Sequence, residues 1–117
     1  AMLLPCIIEY NSMISKSSRS QKEYPRQVEK YCTIARLLGV QNFNTVTTVR
    51  ALVAWIQFML REMDIPLSIS QTGKCSRSEY FQAIPDMAEA ALQDACTPTN
   101  PRKPSKDDIM EIYEKLW

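Results

Sequence analysis

The chain contains no histidine, and only two of its 117 residues are glycine. The first absence removes the side chain most often used for general acid–base work near neutral pH. It also excludes Ser-His-Asp and Cys-His nucleophilic arrangements and any zinc site built on imidazole. The two glycines, Gly39 and Gly73, lie too far apart for a Gly-x-Gly-x-x-Gly turn or a phosphate loop. They are also too few for a strand-rich domain with frequent tight turns. No segment approaches the roughly 20 apolar residues of a membrane span. No basic region precedes the apolar N-terminal stretch, as a secretory signal would require.

An excess of either charge is lacking too. Fourteen basic residues stand against 13 acidic ones, a net charge of +1. Nucleic-acid binding relies on clustered cations. The nearest approach to a cluster, Arg102, Lys103 and Lys106, is followed at once by Asp107 and Asp108. The four cysteines, Cys6, Cys32, Cys75 and Cys96, are widely spaced and form no Cys-x-x-Cys pair. They read as reduced thiols serving as small apolar filler. A soluble, cytoplasmic protein is expected, with neither a nucleic-acid nor a membrane partner.

What is present is helical periodicity. With 45% hydrophobic and 23% charged residues, the composition is that of an ordinary globular domain. Residues 1–117 are therefore expected to form a single helical domain. The opening stretch, Ala1 to Tyr10, is apolar on nearly every side and has no cap residue, so it reads as a helix already under way. Pro5 would kink that helix or mark its first turn. Asn11 and Ser12 end it, and residues 12 to 22 form a polar connection. A second helix spans about Tyr24 to Leu38, with Pro25 in its first turn and Gly39 closing it in a left-handed conformation. Its apolar face is Val28, Tyr31, Cys32, Ala35 and Leu38.

The third helix runs from Thr45 to about Met63, capped by Asn44 or Thr45. Val46, Val49, Val53, Ile56, Leu60 and Met63 form its stripe, widened by Leu52 and Met59. Residues 67 to 77 read as a loop turning at Gly73. Ser78 is placed to cap a short helix to about Ala83, and Pro85 to start another, Asp86 to Ala95. Three prolines between Cys96 and Pro104 exclude a helix there. Ser105 caps the last helix, which buries Ile109, Ile112, Tyr113 and Leu116. The expected fold is all-α, a helical bundle or orthogonal array of about six helices.

Chemistry is sparse by spacing alone. Asp107, Asp108 and Glu111 read as a solvated first turn that stabilises the helix dipole, not as an acid–base pair. Cys96, in a proline-bounded loop after a helix, is the most notable single residue. No fixed cation flanks it to generate a thiolate, so a nucleophilic role is not expected.

The residues nevertheless form a familiar pattern. Asp94-Ala-Cys-Thr-Pro-Thr-Asn-Pro-Arg-Lys-Pro104, followed by Asp107-Asp108-Ile-Met-Glu-Ile-Tyr113, closely resembles the C-terminal end of the iron-containing alcohol dehydrogenases. Ala1-Met-Leu-Leu-Pro5 with Tyr10-Asn11 is similar to that family's Asn-Ala-x-Leu-Leu-Pro segment. Tyr31-x-x-Ile34-Ala35-x-x-Leu38-Gly39 and Ile65-Pro66-x-Ser68-Ile69 fit between them in order. Glu23 to Tyr31 resembles the branch containing bifunctional aldehyde–alcohol dehydrogenases, whereas the Cys96-Thr-Pro-Thr-Asn100 loop is more like the single-function members.

The resemblance implies the C-terminal part of a dehydroquinate-synthase-like alcohol dehydrogenase fold. Its partner would be an N-terminal domain that binds NAD or NADP. An aspartate and three histidines would hold Fe2+ (or Zn2+), which acts as a Lewis acid on the alcohol oxygen. The last of those ligands would lie just before the segment matching Ala1, so this chain would bind neither metal nor cofactor and would be inactive alone. Cys96 and Asp94 would line the substrate cleft, and the turn at Asn100, Pro101 and Arg102 would serve as scaffold for the loop. Leu3, Leu4, Ile7 and Ile8 would be exposed or covered by another copy in a homo-oligomer. The competing reading is a stand-alone helical module that docks a partner on a groove lined by Met59, Met63 and aromatic residues.

Overall fold

A computed structural model describes residues 1–14, 25–40 and 42–117. Every regular element among them is helical, as the periodicity predicts. They gather into two compact units, Ala1–Ile65 and Pro66–Trp117.

The first unit holds α1 (Leu4–Ser12), α2 (Pro25–Leu37) and α3 (Thr45–Glu62). Helix α1 starts at Leu4, with Pro5 in the first turn where a missing N–H costs no hydrogen bond. It runs through Ser12 and closes on Met13 in the left-handed region, at φ 55°. The predicted connection over residues 12 to 22 is thus corrected at its start, since Asn11, Ser12, Met13 and Ile14 are all buried. Burying Ser12 is tolerable because its hydroxyl donates to the Ile8 carbonyl at 2.7 Å. The remainder of that connection, residues 15 to 22, and Tyr24 lie outside the described residues.

Helix α2 ends as predicted. Gly39 at φ 74° lets its own amide reach the Arg36 carbonyl and the Val40 amide reach Ala35, which satisfies two orphan carbonyls. Helix α3 begins with a reciprocal capping box: Asn44 Oδ1 accepts from the Thr47 amide and Thr47 Oγ1 accepts from the Asn44 amide. Its stripe buries Val49, Leu52, Val53 and Leu60. Ile8, Ile14, Val28, Val49 and Val53 form the core, flanked by Tyr31, Cys32, Val46 and Ile56. Met63, assigned to the stripe by sequence, is 54% exposed because it sits past the last helical turn, at the C-cap.

The same left-handed closure recurs after α3, but on a non-glycine residue. Asp64 adopts φ 55°, with its amide bonded to the Arg61 carbonyl and the Ile65 amide bonded to Leu60. A side chain there costs about 1–2 kcal/mol, whereas glycine's extra unfolded-state entropy costs about 0.5–1 kcal/mol. Asp64→Gly should therefore raise stability by up to about 1 kcal/mol. Denaturant unfolding would read the gain, and a loss of stability would contradict this account.

The second unit holds α4 (Arg77–Gln93), α5 (Lys106–Glu114) and two short 3-10 turns, Ser70–Thr72 and Thr97–Thr99. The two helices predicted on either side of Pro85 are one helix. Ser76, not Ser78, caps it, because only Ser76 has a carboxylate three residues on to complete the box with Glu79. Hydrogen bonds from Ser76 hold the Glu79 carboxyl below its ordinary pKa. Pro85 lies on the exposed side and forfeits one intrahelical bond. Burial of Tyr80, Ile84 and Ala88, one turn apart along the packed face, offsets that loss.

Helix α5 packs on α4; its Ile109 and Ile112, and Leu116 just past its end, are buried as predicted, whereas Tyr113 is only half-buried. The Tyr80 hydroxyl donates to the Tyr113 carbonyl at 2.8 Å, tying the two helices. The Trp117 ring lies 5.4 Å from that of Tyr80 and 6.2 Å from that of Phe81. The Ser70 hydroxyl donates to the Trp117 carbonyl at 2.6 Å, so the segment before α4 is sewn to the last residue.

Candidate functional site

The two residues singled out by sequence, Asp94 and Cys96, sit where α4 gives way to the 3-10 turn Thr97–Thr99. Asp94 is the C-cap of α4 in an extended conformation. Its Oδ1 accepts from the Cys96 amide at 2.7 Å, and its carbonyl accepts from the Thr97 amide at 3.0 Å. The Thr97 hydroxyl turns back on the helix and donates to the Ala91 carbonyl at 2.5 Å. Threonine and aspartate at this spacing are a local turn signal in the sequence.

A shallow cleft of about 520 Å³ opens beside this turn, lined by Met87, Ala90, Ala91, Asp94, Thr97 and Tyr113. Asp94 is thus on its wall, while Cys96 is exposed at the adjoining turn and is not among the lining residues. The small side chains of Ala90 and Ala91 leave the space; Tyr113, from α5, closes one side.

The far end of the loop is anchored by charge. Arg102 is 9% exposed, and its Nη2 lies 3.6 Å from Asp108 Oδ1 in the first turn of α5. The other oxygen, Asp108 Oδ2, accepts from both the amide and the hydroxyl of Ser105, at 3.0 and 2.8 Å. The Asn100 side-chain amide donates to the Arg102 carbonyl. Lys106 pairs with Glu89 of α4 at 3.0 Å, which holds the Glu89 carboxyl below its usual pKa. Arg102 and Lys106 of that run are thus engaged by carboxylates. That arrangement anchors the loop to α5 and α5 to α4.

The other cysteines are dispersed. Cys32 is half-buried on α2, and burial pushes its thiol pKa up by more than the Arg36 guanidinium pulls it down. It is correspondingly weak as a nucleophile. Met59 is half-buried on α3, and Met63 is exposed at its end together with Phe58. Of the apolar residues in α1, Leu3 and Leu4 are 38% and 49% exposed, as expected of an open face. Ile8 is not: at 4% exposure it belongs to the core of the first unit, because α1 packs that side onto α3.

The family model described as Fe-containing alcohol dehydrogenase family, C-terminal, matches residues 1–117, the whole chain. The chain belongs to this family. Lactaldehyde reductase of Escherichia coli (strain K12) is 33% identical over all of the chain, which corresponds to 27% of that enzyme's length. NADPH-dependent butanol dehydrogenase of Clostridium saccharobutylicum is 27% identical, again over the whole chain and 27% of its own length. The bifunctional aldehyde-alcohol dehydrogenase AdhE of Escherichia coli (strain K12) is 28% identical over 96% of the chain and 13% of its length. The chain thus spans about a quarter or less of the relatives it matches.

Iron-containing alcohol dehydrogenases imply a metal, and the residues present do not fit one. The chain has no imidazole, and among the described residues no three of Cys, Asp or Glu converge into a group that could hold an ion. Among the described residues, no helix is long and apolar enough to cross a membrane.

Proposed function

We propose that residues 1–117 form one helical domain at the C-terminal end of an NAD(P)-dependent alcohol or aldehyde oxidoreductase. The nicotinamide would be held by its partner, an N-terminal nucleotide-binding domain, and the metal by ligands outside residues 1–117, in a cytoplasmic homo-oligomer. The contribution of this chain is a wall of the substrate cleft. Cys96 and Asp94 shape the alcohol pocket, and no side chain of residues 1–117 makes or breaks a bond. Hydride passes between the alcohol carbon and the nicotinamide on the partner's side of the cleft. What supports this reading is the family match over the whole chain, joined to a loop whose two ends are tied to helices α4 and α5. Such tethering is what a wall that must hold substrate in register requires.

Two assays test it. Residues 1–117 alone, given Fe2+ and NAD or NADP, should show no turnover of 1-butanol, 1-propanol or lactaldehyde above the blank; clear turnover would overturn the division of labour. In a full-length enzyme ending in this sequence, Cys96→Trp should raise KM for the alcohol about tenfold or more, the scale of a misfitted pocket contact. The KM for the nicotinamide should stay put. An unmoved alcohol KM would take Cys96 out of the wall.

A further inference from the structure

Cys96 is held by its backbone on both sides. Its amide donates to Asp94 Oδ1 at 2.7 Å, and its carbonyl accepts from the amide and the hydroxyl of Thr99, at 3.0 and 2.7 Å. The resulting backbone, φ −81° and ψ −24°, sets the direction in which the thiol leaves the chain. Thr97 supports the arrangement from behind through the Ala91 carbonyl. Asp94 therefore spends one carboxylate oxygen on its own turn, although it also lines the cleft.

We propose that Asp94 is a positioning residue: its carboxylate aims Cys96 by gripping the Cys96 amide, and does not act by touching the alcohol. The grip needs an acceptor at the γ position of a short side chain and needs no negative charge. Asparagine can supply that acceptor. Alanine cannot, and glutamate carries its oxygens one methylene too far out. The consequence for catalysis rests on the reading that Cys96 walls the alcohol pocket; the grip itself does not.

Amide hydrogen exchange on the chain 1–117 tests the grip directly. Losing one hydrogen bond should speed exchange at the Cys96 amide about tenfold in Asp94→Ala and in Asp94→Glu, and by less than about twofold in Asp94→Asn. Unchanged exchange at Tyr80, Ile84 and Ala88 would show that α4 stays folded; if the alanine variant fails that check, the glutamate and asparagine variants decide. Slow exchange in Asp94→Glu, or fast exchange in Asp94→Asn, overturns the proposal.

In a full-length enzyme ending in this sequence, alanine and glutamate should each raise the alcohol KM about fivefold or more while asparagine stays within about twofold of the parent. If asparagine is as poor as alanine there, the charge meets the substrate and the proposal fails. If Cys96→Trp leaves the alcohol KM unmoved, the wall reading fails instead, and amide exchange alone decides whether Asp94 grips Cys96.

Discussion

Replacing Leu52 with alanine is expected to lower the unfolding free energy by about 3–4 kcal/mol. Leu52 is 1% exposed in the middle of α3, flanked in the same stripe by the equally buried Val49 and Val53. Truncation would remove its transfer free energy and leave a cavity, because α3 is held by α1 and α2 and cannot collapse freely inward. A domain of this size has a total stability of about 5–15 kcal/mol, so the loss would be a large share of the whole. Phe58 on the same helix is 52% exposed, and Phe58→Ala should cost no more than about 0.5 kcal/mol. Urea unfolding followed by far-UV circular dichroism compares the two. Equal losses would mean that the core has been placed on the wrong face of α3.

Asp108→Ala is the second large effect, expected at about 3 kcal/mol. The carboxylate has two duties: it faces the buried Arg102 guanidinium and completes the capping box of α5 with Ser105. Removing it leaves a desolvated cation with one fewer counter-charge and exposes the Ser105 amide at the helix start. The two duties separate in a double-mutant cycle. In the Arg102→Met background the buried charge is gone and its volume is nearly kept, so Asp108→Ala should then cost only about 1 kcal/mol, the worth of the cap. A full-sized loss in that background would assign the whole effect to capping and none to the ion pair. Arg102 ends the loop that carries Cys96, so the same variants test the anchoring on which the proposed cleft wall relies.

Much of this architecture is legible in residue order. The spacing of Val49, Val53 and Leu60 on α3, and of Ile109 and Ile112 on α5, identifies the buried faces, because helical period alone puts such residues on one side. Gly39 and Ser105 mark a helix end and a helix start through purely local chemistry. Pro85 misleads for the opposite reason. A local rule says that proline breaks helices, yet α4 continues through it because burial of Tyr80, Ile84 and Ala88 outweighs one lost hydrogen bond. The choice between Ser76 and Ser78 is also local chemistry, since only Ser76 has glutamate at the third following position.

The lack of imidazole and of a glycine-rich phosphate loop is a matter of composition and is read directly from the residues. Nothing in the order of residues says that Arg102 is buried, or that Asp108 is the carboxylate that meets it. Period and capping are properties of a segment, so a sequence can determine them. Burial of a charge depends on which other groups, here the Asp108 carboxylate of α5, arrive beside it when the chain packs.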